Sequence, residues 1–435
     1  MKETFKKIIK EFHENSLPEI KERDYDISES EEIITIIGLR RVGKTYLMFQ
    51  KIKELLNTKI GINRIIFLNF EDERIVGLKT EDLDKLLEAY YELYPENISK
   101  SLYLFFDEIH AAPSWSLFLK RLYERKQYKI FVSGSSSKLL SSEIATELRG
   151  RTIAKKVYPL SFLEFLRFKD FKYDKNIKFS KSRFALKKFF NEFLIYGGYP
   201  AVVKYKDRIE KESTLSSYLE LIIYKDLVER YKIRNTLLLK NLIKYFVTNM
   251  AKTISLNSFY ESIKNEMNAS KDAIWEYFSC LEDVGFFFTL SKFSYSMKKQ
   301  INSAKKIYLA DNGFKKVYGF NFSEESGRLL ENLVFIELNR RGKNIYYFSE
   351  KKECDFIIKS KLKISEAIQV CYQLNNENKK REIEGLIEAM EEFKLNQGLI
   401  LTYDQEDKIK IKNKRITVMP IWQWLLQEDR VNKGE

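Results

Sequence analysis

Apolar and polar residues alternate in blocks along the first 140 positions. Ile33-Ile34-Thr35-Ile36-Ile37, Ile65-Ile66-Phe67-Leu68-Asn69-Phe70 and Leu102-Tyr103-Leu104-Phe105-Phe106 are short, nearly continuous apolar runs. Runs of this length, rich in β-branched and aromatic residues, predict strands buried on both faces. Lys129-Ile130-Phe131-Val132 is a fourth. Between them the apolar spacing changes to that of a helix: residues 46–56, a stretch with Leu83, Leu86, Leu87 and Tyr90, and residues 114–125 with Leu117, Leu119 and Leu122. Strands alternating with helices predict an α/β fold with a doubly wound parallel sheet. Residues 1–30 read as a polar, mostly helical lead-in, broken near Pro18.

Beyond residue 165 the pattern changes. Phe189, Phe190, Phe193 and Leu194, then Leu219, Ile222, Ile223 and Leu227, recur at helical spacing and predict a helical lid or spacer over residues 166–235. Residues 238–250 and 270–281 predict two further helices with Ser255-Leu256-Asn257-Ser258-Phe259 between them, and residues 284–290 and 306–309 two strands joined by a basic segment. The last 110 or so residues read as helix, strand, strand, helix, strand.

At 435 residues the chain has length for several domains, each with its own core. Hydrophobic residues make up 44% and charged residues 32%, which excludes a disordered or fibrous chain. No apolar run approaches the length of a membrane span, and residues 1–14 lack a secretory core, so a cytoplasmic location and no membrane contact are expected. Three cysteines and two histidines are too scattered for a disulfide framework or a zinc site. The net charge of +14 favours a polyanionic partner, nucleic acid first, although a lysine-rich composition also arises without one.

The candidate chemistry sits where the predicted strands end. Gly38-Leu39-Arg40-Arg41-Val42-Gly43-Lys44-Thr45 fits the pattern G-x-x-x-x-G-K-[ST], with a strand before it and a helix after it. Such a loop wraps phosphates with backbone N–H groups and the helix N-terminus. Lys44 is expected on the β- and γ-phosphates of ATP, and the Thr45 hydroxyl on Mg²⁺. Asp107 and Glu108 close the strand 102–106: Asp107 is expected to hold Mg²⁺, and Glu108 to orient the attacking water. The run Ser133-Gly134-Ser135-Ser136-Ser137 ends a strand predicted beside these, with Ser135 the first choice for a γ-phosphate sensor and Ser136 the second. Arg149 and Arg151 flank Gly150 and are candidates for an arginine finger, in cis or from a neighbouring copy. His110 is either a nucleotide sensor or a loop-packing residue.

These motifs resemble those of an AAA/STAND-like family of P-loop ATPases found in archaea and bacteria. The resemblance rests on the loop sequence, Phe106-Asp107-Glu108-Ile109, Leu148-Arg149-Gly150-Arg151 and Tyr158-Pro159-Leu160-Ser161-Phe162 with Glu164-Phe165. It extends to Tyr196-Gly197-Gly198-Tyr199-Pro200, Tyr224-Lys225-Asp226, Tyr308-Leu309-Ala310-Asp311, and Glu331-Asn332 leading to Cys354-Asp355-Phe356. It implies an ATPase domain over residues 1–165, a helical lid over 166–235, a winged-helix domain over 236–322 and a restriction-endonuclease-like α/β domain over 323–435. The Ser270-led helix would be the recognition helix, and Lys298, Lys299, Lys305 and Lys306 would contact phosphates. In the last domain Glu331 and Asp355 match acidic positions of the nuclease fold. The Glu-x-Lys that should follow reads Gln369-Val370-Cys371, which argues for a degenerate site.

The expected function is ATP binding and hydrolysis, with nucleotide state controlling C-terminal domains that bind nucleic acid or a protein partner. A finger acting in trans would require nucleotide-dependent homo-oligomers. The alternatives are a Mg²⁺-dependent DNA nuclease driven by ATP and a non-enzymatic ATP-bound switch.

Overall fold

The computed structural model describes residues 1–134, 148, 150–174, 176–265, 267, 269–318 and 326–427. The chain forms two compact units, one of residues 1–158 with 283–285, the other of residues 159–282 with those from 286 onward.

The first unit is built on five parallel strands: β1 (Ile33–Ile37), β2 (Ile65–Asn69), β3 (Leu102–Asp107), β4 (Tyr128–Gly134) and β5 (Thr152–Lys156). Their order is β2-β3-β4-β1-β5. All residues of β1 and β3 are buried, as expected of strands covered on both faces. Registers of Asn69 with Asp107, Phe106 with Val132 and Ile37 with Gly134 bring the carboxyl ends of four strands level at one edge. Helices α2 (Lys44–Asn57), α3 (Asp82–Leu93) and α4 (Trp115–Glu124) follow β1, β2 and β3.

Two expectations change here. The lead-in is helical only over α1 (Lys2–Glu14), and residues 15–32 form neither helix nor strand. Helix α1 buries Phe5, Ile8 and Ile9, one face at helical spacing, and Lys6 reaches Glu92 of α3 at 2.7 Å. In α4 the buried face is Trp115, Phe118, Leu119 and Leu122, whereas Leu117 points to solvent at 62% exposure. It lies off that stripe, so its apolar character did not report burial.

The second unit opens on helix Phe162–Phe168, started by a capping box in which Glu164 N–H donates to Ser161 Oγ and Ser161 N–H to the Glu164 carboxylate. Helices Ser182–Tyr196, Pro200–Lys204 and Arg208–Leu221 and a π-helical stretch Ile222–Glu229 follow. Residues 236–309 then run as helix Thr236–Thr248, β6 (Thr253–Ile254), helices Leu256–Ile263 and Lys271–Asp283, β7 (Phe287–Leu290) and β8 (Lys305–Leu309), with β8 between β6 and β7. Strand β7 starts three residues later than its apolar run because Gly285 turns the chain at φ 75°. A short helix, Met297–Asn302, interrupts the connection from β7 to β8.

The C-terminal part has helix Ser326–Arg340 and then β9 (Asn344–Ser349), β10 (Glu353–Ser360), β11 (Lys363–Val370), helix Lys379–Glu392, β12 (Gln397–Thr402), β13 (Asp407–Ile411) and β14 (Lys414–Pro420). These strands form one sheet in the order β13-β14-β12-β11-β10-β9. The sequence pattern missed β9 and the hairpin β13–β14. Strands β9 and β13 are the two edges of the sheet and β14 alternates buried and exposed residues, so all three lack the continuous apolar run of fully covered strands.

Three of the sequence markers of the second unit, at residues 197–198, 309–311 and 332, meet in one polar clamp. The fully buried Asp311 carboxylate accepts from Gly198 N–H and Gly313 N–H, both at 2.8 Å. A Cβ on Gly197, whose φ is 72°, would lie 1.7 Å from Asp311 Oδ1, so glycine is the residue that fits. Asn332 accepts from Leu309 N–H at 2.8 Å and donates to Leu309 O and to Asn312 Oδ1. Among the described residues no helix is long and apolar enough to cross a membrane.

Burial pushes the Asp311 carboxyl up to about 7 from its ordinary 3.8, despite the two backbone donors. The folded unit therefore keeps a proton that the unfolded chain has released. Stability from this group is fully present below pH 3.8 and is lost as pH rises through about 7. Replacing Asp311→Asn should flatten the melting temperature of the second unit across that interval; a calorimetric pH series on both forms measures it.

Candidate functional site

The loop between β1 and α2 is shaped by its backbone. Arg41 and Gly43 take positive φ, 67° and 101°, which turns successive N–H groups of residues 38–45 towards one side. A Cβ on Gly38 would lie 2.3 Å from Val157 O, so a side chain there is excluded by the neighbouring backbone. Lys44 is 5% exposed; its ammonium donates to Gly38 O and Leu39 O, each at 3.2 Å, and stands 3.4 Å from Glu108 Oε1. Arg40 reaches sideways to Glu71 at 3.1 Å. Leu39 and Val42 are buried and anchor the loop to the unit.

The strand order sets the rest. Strand β4 lies between β1 and β3, so a residue at its tip stands between the end of each. Ser133 Oγ donates to Asp107 Oδ1 and accepts from Glu108 N–H at 3.0 Å. Thr45 Oγ1 donates to Asp107 Oδ2 at 2.7 Å. Thr45, Asp107 and Ser133 thus form a continuous chain across three segments. Burial raises the Asp107 carboxyl above its usual range, against the hydrogen bond from Ser133. Glu108 has left-handed backbone at φ 48°, uncommon for a side-chain-bearing residue and a frequent mark of functional loops. Burial works to raise its carboxyl, but Lys44, His110 and Arg40 outweigh that and hold it below the ordinary range. His110 Nδ1 lies 3.3 Å from Glu108 Oε2, so His110 belongs to the site.

The sequence-predicted residues Gly38, Leu39, Arg40, Arg41, Val42, Gly43, Lys44, Thr45, Asp107 and Glu108 are therefore gathered at one edge of the sheet. Ser135, Ser136 and Arg149 lie outside the described residues. Arg151 is not brought to its own loop. It precedes β5, and its carbonyl accepts from Ile33 N–H at the start of β1, the opposite edge from the loop. Five strand residues, about 16 Å, separate the two edges. Its guanidinium pairs with Glu124 at 3.5 Å. Arg151 thus stands away from the loop of its own chain: its position in sequence after the last motif said nothing about which end of β5 it occupied.

Two contributors were missed. Ser133 belongs to the serine run, and strand alternation would have separated it from Gly134, but nothing ranked it above Ser135. Arg23 carried no signal, being one charge in a polar segment. It is 5% exposed and donates to Val42 O at 2.8 Å and to Tyr158 O at 2.9 Å, while Gln50 bonds its backbone on both sides.

Residues 30–166 match an AAA domain family, and residues 187–321 and 326–424 match two domains of unknown function, DUF8612 and DUF4143. An uncharacterized protein of Methanocaldococcus jannaschii is 39% identical over 408 residues, covering 91% of this chain and 88% of that protein. The chain belongs to this family of AAA-domain proteins. A further relative, an uncharacterized protein of Haemophilus influenzae, is 30% identical over 403 residues and is covered over 95% of its length, with 92% of this chain. Among solved structures, the Walker-type ATPase PABY2304 of Pyrococcus abyssi aligns at 15% identity with a TM-score of 0.42, over 74% of this chain and 96% of that one.

Residues of this AAA domain fit a Mg²⁺–nucleotide pair: Thr45 and Asp107 present adjacent hard oxygens, and the N–H-lined loop with Lys44 beside them suits phosphate. A second set of acids lies in the second unit. Glu331, Glu353 and Asp355 surround the Lys306 ammonium at 2.9, 2.8 and 3.1 Å. Lys306 is 2% exposed, which removes it from the expected phosphate contacts: it lies in the buried part of β8, residues 306–309, where carboxylates stabilise its charge. Lys298, Lys299 and Lys305 are exposed. Gln369 stands where the nuclease-type glutamate was missing; its amide accepts from Asp355 N–H and donates to Glu382 at 2.7 Å.

Truncating Arg23→Ala would leave Val42 O and Tyr158 O without this donor in a buried setting. The expected cost is roughly 2–4 kcal/mol in the first unit, with weaker nucleotide retention. Thermal melting with and without ATP measures both effects.

Proposed function

We propose that this protein hydrolyses ATP and that its nucleotide state governs what the second unit binds. The observation that carries the reading is the chain Thr45–Asp107–Ser133 with Glu108 alongside, at the mouth of the phosphate-binding loop. In this reading the loop N–H groups and Lys44 hold the β- and γ-phosphates. Thr45 and Asp107 would hold Mg²⁺, which supplies positive charge to the phosphates. Glu108 orients and polarises the attacking water, and His110 steadies the Glu108 carboxylate once Lys44 turns to phosphate. Hydrolysis breaks the bond between the γ-phosphorus and the β,γ-bridging oxygen, with water as the incoming group and ADP as the leaving group. A finger contributed by Arg149, or by Arg151 of another copy, would complete the charge compensation and make turnover depend on self-association.

Residues 236–309 support the winged-helix reading through their element order, and a polyanion is the partner we favour. The contact surface would be the connection between β7 and β8 rather than the recognition helix. Helix Lys271–Asp283 exposes Asp272, Trp275, Glu276 and Glu282, an acidic face that a phosphate backbone would repel. Lys298 and Lys299 stand exposed on the connection, beside Ser294, Ser296 and Ser303, and Lys305 is exposed at the start of β8. A nucleotide-bound switch with very slow turnover is the second reading. Its support is that Glu108 is already engaged by both Lys44 and His110.

Phosphate release from Mg·ATP, measured with and without duplex DNA, tests both parts. Glu108→Gln should lower turnover roughly a hundredfold or more while ATP still binds. DNA should stimulate the wild type and lose that effect in Lys298→Glu/Lys299→Glu. ATP retention with no phosphate release would leave the switch reading; stimulation that survives the lysine changes would move the contact elsewhere.

A further inference from the structure

We propose that Lys306 is the resident cation of a buried carboxylate site in the C-terminal part, closing that site to divalent metal and latching β8 onto the C-terminal sheet. Three elements supply the site. Strand β8 brings Lys306 and Tyr308, two residues apart and so on one face; helix Ser326–Arg340 brings Glu331; strand β10 brings Glu353 and Asp355, again on one face. An ammonium has three N–H donors. Here two of them go to buried carboxylates, Glu331 at 2.9 Å and Asp355 at 3.1 Å, and Glu353 pairs with the ammonium at 2.8 Å. Tyr308 O–H donates to the same Glu331 oxygen at 2.7 Å, and Val370 N–H to the other Asp355 oxygen at 2.9 Å.

This geometry belongs to an ammonium, not to a metal. Hard divalent ions draw carboxylate oxygens to about 2.0–2.6 Å. A second cation among these oxygens would meet the Lys306 charge at close range, beside the buried Glu331 and Asp355, with Glu353 alone reaching solvent. Burial works against the lysine charge, but Glu331, Tyr308, Asp355 and Glu353 outweigh it and keep the ammonium well above its usual range. Burial and Glu331 push the Asp355 carboxyl up to about 7. The acids therefore depend on Lys306 for the compensation that a metal would otherwise supply.

The consequence is that the C-terminal part is silent as a metal-dependent nuclease because its metal position is filled from within the chain. It follows too that β8 cannot part from the C-terminal sheet without uncovering two buried acids, Glu331 and Asp355. Lys306→Met keeps an unbranched side chain and removes the charge; Lys306→Arg keeps the charge. Melting temperature and Mn²⁺ binding by titration calorimetry are read on each, and again with Asp355→Asn added, which subtracts any ion held at Thr45 and Asp107. The wild type should show no Asp355-dependent binding. Lys306→Met should melt lower, bind Mn²⁺ about tenfold tighter or more than the wild type, and regain several degrees on adding it. Both gains should vanish with Asp355→Asn, and Lys306→Arg should behave as the wild type. Should Lys306→Met fail to fold, Lys306→Met/Glu353→Gln, one charge lighter, gives the same readouts. Asp355-dependent Mn²⁺ binding by the wild type, or a folded Lys306→Met indifferent to metal, overturns the proposal. So does Mn²⁺-dependent DNA cleavage by the wild type that Lys306→Met abolishes, because Lys306 would then be a catalytic residue.

Discussion

The alignment of parallel strands at one edge is the constraint on which the phosphate-binding centre depends. Its oxygens come from distant parts of the sequence: Thr45, Asp107 and Ser133 lie on three segments of the chain. They touch because β4 lies between β1 and β3 and because registers such as Ile37 with Gly134 bring the strands to the same height. A slip of one residue in any of these pairings would turn every side chain to the other face and separate the oxygens. The long buried runs of isoleucine and phenylalanine therefore do more than fill a core. They fix, through burial on both faces, the only register in which the polar tips meet.

The ease with which this centre is read from sequence has the same origin. A loop that must wrap phosphate needs glycine where backbone approaches backbone, as at Gly38, and where φ is positive, as at Gly43; both needs are local and leave a fixed spacing. The acidic pair after a buried strand is likewise local. What the sequence could not convey was which distant residues complete the arrangement. Arg23 is a charge in a polar stretch, and only the path of residues 15–32 takes it under the loop. Arg151 stands one residue before a strand, and only the strand's direction reveals that it faces the far edge. The expected exposure of Lys306 failed for a related reason: lysine in a basic segment reads as surface unless its partners, here 25 to 49 residues later, are known to lie opposite.

In the second unit, polar residues carry a larger share of the organisation. Asp311, Asn312 and Asn332 bind backbone groups of neighbouring segments, and Lys306 binds three acids. Buried polar groups must be paired, so each such cluster admits few alternative packings. This accounts for the sequence markers after residue 190, which look arbitrary as chemistry. Gly197 and Gly198 make room for a carboxylate, and Asn332 replaces hydrogen bonds that a strand end would otherwise lack.

Arg23 has one more effect. Its guanidinium holds the phosphate loop through Val42 and, with the same group, Tyr158, where the first unit ends and the chain passes into the second. Gly38 rests directly on Val157. The floor of the loop and the covalent exit are thus a single piece of structure. Val42 and Tyr158 cannot move apart without breaking one of the two buried hydrogen bonds that Arg23 makes to them.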